Sequence, residues 1–230
     1  MEQQVLTASG PSYRNTGWAA IISGVVGILA FSLLMDAVLT RESWVPSDRI
    51  YLLFDAHDLG VTLQFLLLIS VVFGLRTLSR QKPPELSKAT FNTGVGAIVF
   101  TALLVLLGVG GKIVSNGSYM FPQGIFGIWL IVCNCRLSGS LPGWLRWLGM
   151  IVGLGLVLVG TSFVGLCFIY PSQLAIPAVP QENVKEVNSV ANTFFHLLLF
   201  YASFVGVTLL PVWTILTGSQ LLKNRRLAAI

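Results

Sequence analysis

Residues 147–169 read WLGMIVGLGLVLVGTSFVGLCFI, a run without one acidic or basic side chain. About 20 apolar residues in helical form cross a hydrocarbon core of roughly 30 Å. A backbone in lipid must also satisfy its own hydrogen bonds, so the run predicts a membrane-crossing helix. Barrel strands are excluded because they alternate polar and apolar side chains over about ten residues, and this run is continuous. Working outward from it, six such stretches fill most of the chain, at 17–39, 51–75, 89–114, 119–135, 143–170 and 189–216. The fourth is the shortest. Composition agrees, with 54% of residues hydrophobic and 10% charged, against about 25% charged in soluble domains. The expected fold is all-α: a polytopic helical bundle forming a single membrane domain over residues 1–230, lying in a lipid bilayer. The longest gap between spans, 171–188, is too short for a soluble domain.

Orientation follows from Lys and Arg. Arg14, Arg76, Arg80, Lys82, Lys88, Arg136, Arg146, Lys223, Arg225 and Arg226 fall on one side of the expected membrane, whereas Arg41, Arg49, Lys112 and Lys185 fall on the other. Acidic residues invert the bias, since only Glu2 and Glu85 accompany the basic cluster. Both termini are therefore expected in the cytoplasm. The net charge of +5 is spread over short juxtamembrane loops, which reads as topology and not as a nucleic-acid surface. The first apolar run is long and lacks a small-residue cleavage site, so it reads as a retained anchor. Cys133, Cys135 and Cys167 make no disulfide framework.

Glycines predict how the helices approach. Gly149, Gly153 and Gly160 give the fifth span a face almost free of side chains, and Gly24, Gly27, Gly94 and Gly96 do the same on the first and third spans. Such faces let backbones come close, within the chain first and in a homodimer as the alternative.

Polar groups inside a membrane are costly and mark function. His57 lies about six residues into the second span, roughly 9 Å deep, and His196 reaches a similar depth on the sixth; these are the only histidines. Asp36, Asp55, Asp58, Lys112, Asn116 and Asn192 fall near the same level. The seven-residue spacing of His57 and Gln64 places them on one helical face, and Asn192, His196, Ser203 and Gly206 share another. A polar pocket facing outward between spans one, two, three and six is expected, its inner half sealed by aliphatic side chains.

Such a pocket suits the binding or movement of a small ligand, with His57, His196, Asp58, Asp55, Asp36, Asn192 and Gln64 as candidate residues. It also suits a b-type haem held axially by His57 and His196. A metal on His57, Asp58 and His196 meets an obstacle, because adjacent helical positions point about 100° apart. In proton- or ion-coupled transport, Asp and His would exchange protons or hold a cation, and Pro211 would kink the sixth span. The bland alternative puts Asp55, His57 and Asp58 in a hydrated first turn and makes Asp36 a helix cap, leaving a structural or accessory subunit of a membrane complex. No phosphate-binding glycine loop and no Gly-x-Ser-x-Gly elbow occurs, so ATP-driven and serine-hydrolase chemistry is not expected, and the sequence leans away from an enzyme without deciding it. The prolines at 171, 177 and 180 predict a stiff outer connector before the sixth span.

Phe126-Gly127-Ile128-Trp129-Leu130, Arg136-Leu137-Ser138-Gly139, Leu141-Pro142-Gly143-Trp144-Leu145 and Leu148-Gly149 follow one another between the fourth and fifth spans. This stretch resembles the signature of bacterial six-span membrane families of unknown function, in which an Arg-rich cytoplasmic turn with a Leu-Pro pair joins two helices. The resemblance implies a six-helix fold in a prokaryotic plasma membrane, and brings no activity or site residues with it.

Overall fold

A computed structural model describes residues 11–40, 47–81, 85–109, 117–169 and 189–228. These form six helices: α1 (Pro11–Thr40), α2 (Ser47–Gln81), α3 (Lys88–Gly108), α4 (Met120–Arg136), α5 (Gly143–Ile169) and α6 (Ser189–Ala228). Among the described residues there is no strand, only an isolated bridge between Ser138 and Leu141. Five helices, α1, α2, α3, α5 and α6, are long and apolar enough to cross a membrane. Helix α4 has 17 residues, about 26 Å at 1.5 Å per residue. Helices α2 and α6 run beyond the apolar stretches that predict them, to Gln81 and Ala228.

Every consecutive pair packs antiparallel, and α6 returns to α1, so the six helices are arranged as a closed ring. Thr16 packs over Gly74 and Ala30 over Gly60, setting the start of α1 beside the end of α2. Phe91 at the start of α3 meets Phe73 edge-on, with ring centroids 4.9 Å apart, and the Arg76 guanidinium lies 4.1 Å above the Phe91 ring. Trp129 of α4 covers Gly94 of α3. The expected glycine face of α5 is used within the chain: a β-carbon on Gly124 would sit 3.0 Å from the Gly160 Cα, and one on Gly153 would sit 2.8 Å from the Gly127 carbonyl oxygen. Gly155 lies against Gly206 between α5 and α6, and Gly17 against Gly218 where α6 closes on α1. In lipid, such close contact replaces the hydrophobic drive that water would supply.

Antiparallel order gathers Arg14, Arg76, Arg80, Lys88, Arg136, Arg146 and Lys223 at one end of the bundle and leaves Arg49 at the other. Two connections at the basic end are tied down. Arg80 pairs with Glu85 at 3.0 Å, the Ser79 hydroxyl accepts from the Leu86 amide, and the Ser87 side chain caps α3 by accepting from the Thr90 amide. Between α4 and α5 the chain turns through Gly139 at φ +85°, a conformation that favours glycine. There Arg146 donates from Nε to the Asn134 carbonyl oxygen at 2.9 Å and from Nη1 to Ser138 Oγ at 3.3 Å. A cation is thus held against the carbonyl end of α4, where the helix dipole favours it.

Large apolar side chains cover the outside, with Phe168, Val190 and Leu39 the most exposed. Thr101 and Ser162, which are buried, return their hydroxyls to carbonyls four residues back in their own helices. Ser23 instead donates across to the Gln64 carbonyl oxygen, joining α1 to α2.

Candidate functional site

A ring of six helices leaves a core axis to fill. Towards the basic end it is filled by Phe65, Leu68, Phe126, Leu130, Leu145 and Trp213, all essentially inaccessible. Towards the other end the helices surround a cavity of about 610 Å³. Its walls are Phe31, Leu34 and Met35 of α1; His57, Val61, Gln64 and Phe65 of α2; Tyr119, Met120 and Gln123 around the start of α4; Leu156 and Val159 of α5; and, from α6, His196, Leu199, Phe200, Ser203, Phe204, Val207, Thr208 and Leu210. Apolar side chains dominate this lining, with a few polar groups among them.

His57 is fixed by its neighbours. Gly60 lets α2 approach Ala30 closely, and the ring reaches the α1 backbone, with Nδ1 donating to the Ala30 carbonyl oxygen at 2.8 Å. A carbonyl can only accept, so the proton sits on Nδ1 and Nε2 of the neutral ring is the acceptor. That nitrogen is 3.9 Å from Asp58 Oδ1. Gln64 lies over Gly27 of α1, its carboxamide occupying the place a β-carbon would take. Gln123 is buried in the wall at 3% exposure, and its Oε1 has no hydrogen-bond partner among the described residues; the Thr208 hydroxyl is in the same position. Each unpaired buried group costs about 1–3 kcal/mol relative to a paired one.

The seven expected site residues separate into groups. His57, Gln64 and His196 line the cavity together. Asp58 lies beside His57, half-buried, and Asp55 one turn above it is also half-buried; neither is among the lining residues. Asp36 is exposed at the end of α1, outside the cavity. Asn192 is in the first turn of α6, but its side chain is outside the described residues, as are Lys112 and Asn116. Span three contributes no described lining residue; α4 and α5 take its place, because their glycine contacts draw both helices towards the axis. Among the described residues no group of three His, Cys, Asp or Glu side chains is placed to hold a metal ion.

Gln123, Tyr119 and Thr208 were not expected. Gln123 carried one signal, a carboxamide inside an apolar run next to Pro122. Chemically the arrangement offers an apolar volume bounded by one oriented imidazole, two carboxamides and hydroxyls, which fixes the orientation of a mostly apolar guest. No family model, no curated protein and no solved structure matches this chain.

Proposed function

We propose that this chain is a bacterial plasma-membrane protein that binds a small, mostly apolar molecule in the cavity described above. In this reading all six helices cross the bilayer and both termini are cytoplasmic. The gathering of basic residues at one end of the bundle supports that orientation, and it makes the cavity face the outer side. Helix α4 at about 26 Å crosses with modest local thinning of the bilayer. The family resemblance around residues 126–149 supports the six-span fold and carries no activity. The binding role rests on a single observation: about 610 Å³ of cavity, within the roughly 300–1,000 Å³ of ligand sites, walled by apolar groups with a few convergent polar ones. Below it Leu68, Leu130, Leu145 and Trp213 close the axis, so a bound guest has no polar route onward through them, which favours binding over transport.

Native mass spectrometry of protein released from its own membranes tests this. A small-molecule adduct is expected on the wild type and absent from Val159→Trp, in which an indole fills the cavity. No adduct on either, or the same adduct on both, would sink the reading.

A b-type haem is the second reading, favoured by the two imidazoles from different helices that line one cavity and by the Nδ1 bond that leaves Nε2 of His57 available as a ligand. Haem carboxylates call for cations, and no described lining residue is Lys or Arg. A Soret band that sharpens on reduction and vanishes in His57→Ala would establish haem; a colourless protein from haem-supplied cells would discard it.

A further inference from the structure

Helices α1 and α6 touch through small groups only at the basic half of the ring. Gly17 meets Gly218, and Gly24 meets the Pro211 backbone, Thr214 and Ile215. Pro211 lacks the amide that would bond to the Val207 carbonyl, so the hydrogen-bond ladder of α6 is interrupted there. Beyond that level both helices present large side chains to the cavity, and those side chains also face outward. Phe200 is 67% exposed, Phe204 64% and Met35 37%, yet all three line the cavity. The wall between α1 and α6 is therefore one side chain thick, at hydrocarbon depth.

The polar groups specify what passes it. No described lining residue is Lys or Arg, and Asp58 stands beside His57, so a phosphate or carboxylate head would be buried without a Lys or Arg partner and beside an acidic side chain, which is unfavourable. The oxygen of Gln123 and the hydroxyl of Thr208 lack partners among the described residues and are occluded in the cavity wall, so a guest reaches the oxygen as the Gln123 side chain turns about its terminal torsion, and a carboxamide oxygen can be satisfied only by a donor. We propose that the cavity takes an uncharged, lipid-soluble molecule bearing a hydroxyl group, which enters sideways from the bilayer between α1 and α6 and donates to Gln123. This rests on the cavity being the binding site proposed above.

The test uses full-length protein in liposomes, photolabelled with hexadecanol carrying a mid-chain diazirine or with palmitate carrying the same group; labelled residues are read by mass spectrometry. The alcohol is expected to label the buried lining residues Val61, Phe65 and Leu210, whereas the palmitate labels only outward residues such as Leu103 on α3 and Phe204 on the wall. Gln123→Leu is expected to reduce cavity labelling by the alcohol about fivefold, the effect of losing one hydrogen bond of about 1 kcal/mol. Val159→Trp should abolish that labelling, with Leu199→Trp as its substitute if the first variant fails to give a single sharp peak in size exclusion. Palmitate labelling the cavity as well as the alcohol, or Gln123→Leu having no effect while Val159→Trp blocks, would overturn the ligand class and leave the site standing. Labelling that survives both tryptophan variants would overturn the site itself.

Discussion

The basic half of the bundle and the cavity half are built from the same helices by opposite means. In the basic half α1 and α6 meet glycine to glycine, and Trp213, at 0% exposure, lies over Gly149 to plug the axis. In the cavity half α4 and α5 still touch at Gly124 and Gly160, but α1 and α6 part around Phe31, Phe200 and Phe204. Close packing holds a membrane bundle together because dispersion and hydrogen bonding are what lipid leaves available. Stability is thus concentrated at one end, and the freedom to accept a guest at the other.

Substitutions at each end separate the two. The largest effect is expected from Trp213→Ala, which empties the plug and removes about 3–5 kcal/mol, as truncating buried aromatics does; thermal unfolding in mild detergent measures it. A smaller loss is expected for His57→Ala, where one hydrogen bond to Ala30 of about 1 kcal/mol disappears. If it matched Trp213→Ala, the cavity half would be as strongly held as the plug and the contrast would fail. The smallest effect belongs to Phe204→Ala on the thin wall, within about 0.5 kcal/mol of wild type, and the same melting curve shows it. A large loss there would mean that this wall is packed core.

Much of the fold was legible because the apolar runs at 17–39, 51–75, 143–170 and 189–216 demand membrane helices whatever their neighbours. The pairing of His57 with Gln64 was equally legible, since a seven-residue spacing fixes a face. Which helices ring the cavity was not. Span three was expected in the wall on the strength of its polar outer end, whereas α4 and α5 stand there, because a glycine face announces close approach without naming its partner. Asp36 was read as a site residue from depth alone, and depth does not report azimuth; its side chain turns outward. His196 was expected about seven residues into the sixth span, and it lines the cavity as an exposed residue of α6. Gln123 escaped notice because a short span next to a proline drew attention to length instead of to its one carboxamide.

The closed ring also bears on how the molecule is made. Helix α6 supplies eight of the cavity's lining residues and follows the other five helices in the chain. During synthesis the α4–α5 hairpin can form as soon as its glycines emerge, since its contacts are local and loop closure is cheap. The cavity wall must wait for α6 to return to α1 across nearly the whole sequence. Until that long-range contact forms, the cavity lacks the eight lining residues of α6, so the site is the last part of the molecule to be completed.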